Sequence, residues 1–200
     1  MNNIDIFFTK NPEDFARNYL NYLSKVLADI SAEQIANFIN LLLRARDNGS
    51  TIFFIGNGGS AATSSHFAND LSIGVGDYTK PFRALSLADN AAIITAIGND
   101  FGYEDIFVRQ LQILGKEGDV VVAISASGNS PNLVKALNYA SASGITTAAI
   151  TAFDGGKLKA IAEFGVHVPT GPKEYGPAED AHMVLDHLIG AYLMRAIRSS

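Results

Sequence analysis

The sequence contains no cysteine, and its 15 Lys and Arg residues form no basic run. The absence of cysteine excludes disulfides, thiolate metal sites and cysteine nucleophiles, and it fits a reducing cytoplasm. Asp and Glu number 20, which gives a net charge of −5. A chain of this charge lacks the electrostatic footprint of a nucleic-acid-binding protein, so we expect no nucleic-acid partner.

Long apolar runs are also missing. No run approaches the roughly 20 residues that a membrane span needs. The first ten residues lack the basic and long apolar regions of a signal peptide. We therefore expect a soluble, cytoplasmic protein with no membrane partner. Since 48% of the residues are hydrophobic, the chain can bury the core of one domain.

Two apolar stripes at helical spacing occupy the first quarter of the chain, over residues 11–30 and 31–49. Ser31 and Gln34 form a capping box at the start of the second helix, and Gly49 ends it. From residue 50 onward, short β-rich runs alternate with helical stretches. These runs cover residues 51–55, 83–87, 119–125, 146–151 and 165–169.

Strands that alternate with helices predict an α/β fold with a parallel sheet covered on both faces. The predicted architecture is a flavodoxin-like αβα sandwich of five strands in a single domain over residues 1–200. A helical pair forms residues 1–49, and the α/β core forms residues 50–200. The core ends in a long helix over about 178–198, whose apolar surface can pack on its own chain or on another subunit.

The segment FFIGNGGSAATSSHFAND (53–70) joins a buried strand to a polar helix through Gly56, Gly58 and Gly59. In open parallel sheets, ligands bind at the carboxyl ends of strands, where loop N–H groups approach an anion at a helix N-terminus. Ser60 can donate its hydroxyl to a phosphate or simply cap the helix. The loop also matches a loose dinucleotide-binding pattern, which on its own is a weak signal.

A second loop, SASGNSPN (125–132), follows the strand at 119–125 and brings three hydroxyls near free backbone N–H groups. Pro131 suits the first position of a new helix. Serine capping alone would explain one such loop, but two in one domain favour a phosphorylated ligand. Neither loop contains Lys or Arg, and the Walker pattern is absent. A sugar phosphate is therefore favoured over a nucleoside triphosphate.

Histidines and carboxylates supply the remaining candidates for chemistry. His66 and Asp70 are i and i+4 on the helix after the first loop, so they form either a surface hydrogen bond or two metal ligands. His167 lies in a strand-like run, with its tip expected at a sheet edge or in solvent. Five polar residues crowd the start of the last helix: Glu179, Asp180, His182, Asp186 and His187. We expect His182 beside Asp186 or at an interface, rather than as a ligand.

Four segments together resemble the sugar isomerase (SIS) domain family and, within it, the phosphoheptose isomerase group. They are GNGGSAA (56–62), TAIGNDFGYED (95–105), GDVVVAISASGNSPN (118–132) and AEDAHMVLDHL (178–188). The resemblance covers nearly the whole chain. It implies a single SIS domain, a homotetramer with sites between subunits, and interconversion of sedoheptulose 7-phosphate and D-glycero-D-manno-heptose 7-phosphate through an enediol.

The resemblance also implies roles for individual residues. Substrate-binding positions are Asn57, Gly58, Gly59, Ser60, Asn90, Ser125, Ala126, Ser127, Ser130 and Glu179. A metal ion, commonly zinc, is implied on His66, Asp70, Glu179 and His187. Isomerisation through an enediol needs a base and an acid, and Asp70 and His187 are the candidates, in either order. Asp70 as a metal ligand would not easily serve also as a free base.

Three positions depart from the family pattern. Asp70 stands where the family has a glutamate, and Glu179 stands where it has a glutamine. An apparent insertion puts Asn90, rather than Asp89, at the position of an aspartate that touches substrate. Isomerisation or epimerisation of a different phosphosugar therefore stays open. A non-catalytic SIS adaptor that binds the replication initiator is disfavoured because both site histidines are present, and a dinucleotide-dependent oxidoreductase is a weaker alternative.

Overall fold

Strands and helices alternate along most of the chain, as the sequence predicts. The computed structural model describes residues 2–198. In this part of the chain the helices are α1 (Asn3–Phe7), α2 (Pro12–Ala28), α3 (Ala32–Asn48), α4 (Gly59–Asn69), α5 (Ala91–Asp100), α6 (Val108–Leu114), α7 (Pro131–Ala142), α8 (Gly156–Ile161) and α9 (Tyr175–Arg198). The strands are β1 (Thr51–Gly56), β2 (Arg83–Ser86), β3 (Val120–Ser125), β4 (Thr146–Thr151) and β5 (Phe164–His167).

The five strands form one parallel sheet in the order β2-β1-β3-β4-β5. The chain leaves β1 toward one edge and returns to the other side of β1 with β3. The strand order therefore reverses between β1 and β3, where Gly56 pairs with Ile124. In open α/β sheets ligands bind at this switch point, outside the carboxyl ends of the strands.

Alternating side chains of the strands build two cores, one on each face of the sheet. On β1, Ile52 and Phe54 join helices α2, α3, α4 and α9, whereas Phe53 and Ile55 join helices α5 to α8. All four side chains are at most 1% exposed. Such continuous apolar strands are typical of parallel sheets that are buried on both faces, so the predicted αβα sandwich is confirmed.

The predicted capping box of α3 forms only in part. Ser31 accepts a hydrogen bond from the Gln34 N–H (3.2 Å), as predicted. The Gln34 side chain does not return to Ser31, because its Oε1 accepts from the N–H of His167 instead (2.9 Å). His167 belongs to β5, the edge strand, whose outer N–H groups lack a strand partner. The Gln34 side chain thus bonds to the distant His167 instead of to the neighbouring Ser31.

Three features were not predicted from the sequence. The short helix α1 precedes α2, a π-helical turn (Asp70–Gly74) follows α4, and α9 begins at Tyr175 rather than near 178. Among residues 2–198 no single helix is long and apolar enough to cross a membrane, although α2 and α3, bent by 68°, meet the length and composition test as a pair.

Candidate active site

The two predicted loops lie side by side at the carboxyl ends of β1 and β3. Together they line a pocket of about 150 Å³. Its lining residues are Asn57, Ser60, Ile124, Ser125, Ala126, Ser127, Ser130, Tyr175 and Glu179. Most of the predicted substrate-binding residues are therefore brought together. Tyr175 was missed, because only the early start of α9 carries it into the pocket.

Helices α4 and α7 both begin at this pocket. Neither start is capped by a side-chain hydrogen bond within the described chain. Gly58, the N-cap of α4, has φ +54°, a conformation that side chains disfavour. Ser130, the N-cap of α7, makes no capping bond. Since Ser130 makes no capping bond, the alternative that this serine merely caps a helix is not supported. Helix N-termini with unsatisfied N–H groups attract anions.

Asn57 is held in place at the bottom of the glycine loop. It exchanges amide hydrogen bonds with Asn132 in both directions, at 3.0 and 2.8 Å. Its Oδ1 also accepts from the Tyr103 hydroxyl (2.9 Å). Asn132 and Tyr103 were not singled out from the sequence, although both lie in the segments that carry the family resemblance. They fix the orientation of a predicted substrate-binding amide.

A second cluster lies further along α4 and α9, which pack against each other. Ligand atoms of His66, Asp70, Asp186 and His187 all lie within 4.8 Å of one another. The Nε2 of His66 lies 3.2 Å from His187 Nε2 and 3.5 Å from Asp70 Oδ2. Asp70 starts the π-helical turn, a feature that often marks functional sites. The predicted pairing of His66 with Asp70 is therefore confirmed as a contact.

Asp186 is the buried member of this cluster. Its side chain is 0% exposed, and its Oδ2 lies 3.9 Å from His66 Nε2. Neither carboxylate oxygen has a hydrogen-bond partner in the described part of the chain. Burial, and then the charge of Asp70, raises the pKa of Asp186 to about 7. Two imidazoles with two carboxylates form a donor set that suits zinc, and the unsatisfied buried oxygens of Asp186 fit a cation at this position.

Glu179 lies outside the cluster, in contrast to the predicted metal set. It lies two turns earlier on α9, where a Cβ on Gly59 would come within 2.2 Å of its Oε2. Glu179 and His187 are eight residues apart, roughly 80° around a helix and two turns along it, so both could reach one ion only if Glu179 lay on a frayed helix start. However, α9 is already regular from Tyr175. Glu179 therefore lines the loop pocket. Burial, and then the nearby Asp180, raises its pKa.

Asn90 does not reach the pocket either. Its side-chain oxygen accepts a hydrogen bond from the Ile93 N–H (3.1 Å) as the N-cap of α5. The neighbouring Asp89 accepts from the hydroxyl of Ser65, the residue before His66. The structure thus brings Asp89, rather than the predicted Asn90, to the helix that carries the cluster.

The other two histidines, His182 and His167, lie outside both the loop pocket and the cluster. His182 is wholly buried, and burial lowers its pKa to about 4, so it is neutral near pH 7. It lies in the core one turn before Asp186, as expected from its spacing. His167 lies on the edge strand β5, as predicted, and its Nδ1 is 3.1 Å from Thr151 Oγ1.

Comparison with known proteins agrees with this arrangement. The sequence pattern of the SIS domain matches residues 14–152. The chain belongs to the SIS domain family. The phosphoheptose isomerase of Akkermansia muciniphila is 40% identical over 178 residues, which cover 88% of this chain and 89% of that protein. The phosphoheptose isomerase of Aneurinibacillus thermoaerophilus is 37% identical over 183 residues, 89% of each chain.

Solved structures of SIS domain proteins share the fold. The structure of phosphoheptose isomerase GmhA from Neisseria gonorrhoeae matches with a TM-score of 0.80 and 31% identity, over 90% of this chain and 97% of that one. A phosphoheptose isomerase from Francisella tularensis matches with a TM-score of 0.82 and 25% identity, over 92% and 98%. The predicted family and fold are confirmed.

Proposed function

We propose that this SIS domain protein is an aldose–ketose isomerase that interconverts sedoheptulose 7-phosphate and D-glycero-D-manno-heptose 7-phosphate. The single observation that carries the proposal is the presence of two sites along α4, both of which α9 also lines. One is an anion pocket between two helix N-termini, and the other is a cluster of imidazoles and carboxylates. The relatives named as phosphoheptose isomerases support the same substrate.

The spacing of the two sites suits a seven-carbon sugar phosphate. Gly59 at the pocket and His66 in the cluster are seven residues apart on α4, which corresponds to about 10 Å along a helix. An extended heptose phosphate spans roughly 10 Å from phosphorus to C1, at about 1.25 Å of advance per carbon–carbon bond. A phosphate held by Ser127 and Ser130 would therefore leave C1 and C2 near the cluster.

The reaction moves a proton between C1 and C2 through an enediol, and it needs a base, an acid and stabilisation of charge on oxygen. Asp70 and His187 are the proposed base and acid, in either order, and both side chains reach solvent, whereas that of Asp186 is buried. Zinc bound by the cluster would supply Lewis-acid polarisation of the substrate oxygens. The loop serines and the N-termini of α4 and α7 bind and orient the phosphate.

Assembly and location are further parts of the proposal. An exposed apolar stripe runs along α9 through Val184, Leu188 and Tyr192, which are 38%, 44% and 52% exposed. These residues are four apart and share one face of the helix. The stripe supports a homotetramer with sites between subunits, since patches of this kind are usually covered by a partner. The cysteine-free sequence supports the cytoplasm as its location.

A series of ketose phosphates with five, six and seven carbons tests the substrate. We expect kcat/KM to be highest for sedoheptulose 7-phosphate, because only that chain spans both sites. Equal or higher kcat/KM for a shorter sugar would favour the second candidate, an isomerase of a different phosphosugar. The carboxylate of Glu179 inside the anion pocket motivates that candidate. No turnover of any member would reject both and favour the non-catalytic adaptor.

A further inference from the structure

Two strained backbone positions flank Tyr175, the pocket residue that begins α9. We propose that the Tyr175 hydroxyl donates a hydrogen bond to the phosphate of the substrate, and that Phe153 is a positioning residue that holds the tyrosine ring for this contact. The inference deepens the proposed function and rests on it only for the phosphate group of the substrate. Phosphate binding is measured without turnover, so the two can fail separately.

Phe153 has a backbone conformation that its side chain disfavours. Among residues 2–198, the non-glycine residues with a positive φ are Phe153 (56°) and Lys173 (66°). For a bulky residue this conformation is strained, and strained residues cluster at functional sites. The same loop has glycine at Gly155 and Gly156, where φ is 84° and 52°. Since glycine would remove the strain at 153 as well, the phenylalanine indicates a use for its side chain.

The ring of Phe153 packs on the ring of Tyr175. The two ring centroids are 5.1 Å apart and the planes are 81° apart, an edge-to-face arrangement that aromatic pairs prefer. Phe153 itself is fixed by backbone bonds. The N–H of the preceding Ala152 donates to Ala126 O in the serine loop (3.1 Å), and the Phe153 N–H donates to Thr170 Oγ1 (3.4 Å). The phenylalanine ring therefore holds Tyr175 at a set place relative to the serine loop.

The second strained residue belongs to the turn that precedes Tyr175. Residues 171–174 form a β-turn, in which the Glu174 N–H donates to Gly171 O (3.3 Å). Lys173 lies at the third position of this turn, where a positive φ usually requires glycine or asparagine. The Gly171 N–H donates in return to the buried Glu174 carboxylate (2.8 Å). These two bonds fix the backbone where α9 begins, so only the side chain of Tyr175 remains to be placed.

The loop pocket lacks a cationic donor for a phosphate. None of its lining residues is Lys or Arg, and one of them is the carboxylate of Glu179. Tyr175 lines the pocket, and its hydroxyl makes no hydrogen bond with other groups in residues 2–198. A phenol can donate to an anion, and hydrogen bonds to charged groups are stronger than those between neutral groups. The Tyr175 hydroxyl is therefore a free donor where an anion needs one.

Titration with inorganic phosphate and, separately, with sedoheptulose 7-phosphate tests the role of the hydroxyl. The full chain is stripped of metal with a chelator, so that phosphate has no ion to bind and no turnover occurs. We expect Tyr175→Phe to weaken the binding of both ligands, measured by calorimetry, by roughly 10-fold to 100-fold. The Tm without ligand should stay at the wild-type value. Tyr78→Phe, at an exposed tyrosine outside the pocket, is the matched control.

Phe153→Gly and Lys173→Gly separate positioning from strain. Both substitutions relieve a positive φ, but only Phe153→Gly also removes the ring that contacts Tyr175. We expect Phe153→Gly to weaken phosphate binding about 2-fold to 10-fold, because the ligand must then order the tyrosine side chain. Lys173→Gly is expected to bind like wild type. In the Tyr175→Phe background, Phe153→Gly should cost no further affinity, since its effect passes through the hydroxyl.

Wild-type phosphate affinity in Tyr175→Phe would overturn the proposal. An equal loss from Phe153→Gly in the presence and absence of the Tyr175 hydroxyl would overturn the positioning role. If Phe153→Gly does not fold, Phe153→Asn replaces it, because asparagine also tolerates a positive φ. A protein whose phosphate affinity depends on Tyr175 but which isomerises no sugar would reject the proposed function and leave this inference standing.

Discussion

Neighbouring residues in the site have opposite environments. Asp186 is closed off from solvent, whereas His187, the next residue, is exposed. The difference follows from the turn of α9, since successive residues point about 100° apart. Because a substrate reaches only groups that are open to solvent, we propose that Asp70 and His187 transfer protons. The buried Asp186, which a substrate does not touch, is proposed only as a metal ligand.

The role of His187 is tested by substitution with alanine. We expect His187→Ala to lower kcat by a factor of about 10² to 10⁴, the usual contribution of a general acid or base. Binding of the sugar phosphate, measured by calorimetry, is expected to stay close to wild type because the phosphate is held elsewhere. His167→Ala, on the edge strand, is the matched control and keeps its activity. An unchanged kcat in His187→Ala would refute the assignment.

Ser127 and Ser130 are tested through phosphate affinity. Hydrogen bonds to charged groups contribute about 1.5–3 kcal/mol each, so each alanine substitution should weaken binding of the sugar phosphate by roughly 10-fold to 100-fold. The same substitution at Ser141, exposed on α7, is the control. Unaltered affinity in Ser127→Ala and Ser130→Ala would show that the serine loop does not bind the phosphate.

At the scale of elements, the features that depend on local sequence patterns could be predicted from the sequence. All five strands and the helices α2, α3 and α9 were placed within a few residues, and the contact between His66 and Asp70 followed from i,i+4 spacing. Helical periodicity alone could not show whether Glu179 or Asp186 lies beside His66. Seven residues apart, they share a face of α9, and only the axial register against α4 separates them.

Hydrogen bonds to the buried carboxylate of Glu174 connect the N-terminal helices to the start of α9. Glu174, immediately before α9, is 0% exposed. It accepts hydrogen bonds from the Asn3 N–H (2.6 Å), the Asn3 amide (2.9 Å), the Gly171 N–H (2.8 Å) and the Tyr22 hydroxyl. These bonds join α1 and α2 to the start of α9. Sequence reading did not find this network because its members lie up to 171 residues apart.

Glu174→Gln tests the network and its pH dependence. Burial raises the pKa of Glu174, but the hydrogen bonds from Tyr22, Asn3 and Gly171 outweigh it and lower the pKa overall. A lowered folded pKa stabilises the protein above the ordinary value of 4.5, and this stabilisation is lost as the pH falls through the folded pKa. We expect Glu174→Gln to lose about 2 kcal/mol of unfolding free energy at pH 7.

The difference between Glu174→Gln and wild type should narrow as the pH falls below 4.5, in denaturant titrations at a series of pH values. Glu117→Gln, at an exposed glutamate, is the control and should follow wild type. A difference that stays constant or widens in acid would show that the charge of Glu174 does not stabilise the helices.

At the scale of the whole molecule, the stripe on α9 predicts assembly. We expect light scattering to give a mass near four times the 21.3 kDa chain. Tyr192→Glu, which puts a charge into the apolar stripe, should reduce that mass to one or two chains. Ile113→Glu, at an exposed residue of α6, should leave it unchanged. A wild-type monomer would contradict the proposed tetramer.

The fold of the whole chain could be predicted because the alternation of strands and helices, and the two loops that suit an anion, each depend on residues that are consecutive in the sequence. The composition of the cluster of possible metal ligands could be predicted only in part, since Asp186 joins it through packing of α9 on α4. The position of Asn90 at the start of α5, outside the lining of the loop pocket, was not predicted for a similar reason. Which of two adjacent polar residues caps α5 and which turns toward α4 depends on the path of the chain after β2.

The central claim is most directly tested by NMR of sedoheptulose 7-phosphate incubated in D₂O with the zinc-loaded protein. Isomerisation through an enediol predicts an aldose 7-phosphate that carries deuterium at C2, with the signal lost on adding a chelator and in His187→Ala. Wild-type protein that is folded and binds the sugar phosphate, yet forms no aldose and incorporates no deuterium, would contradict the account.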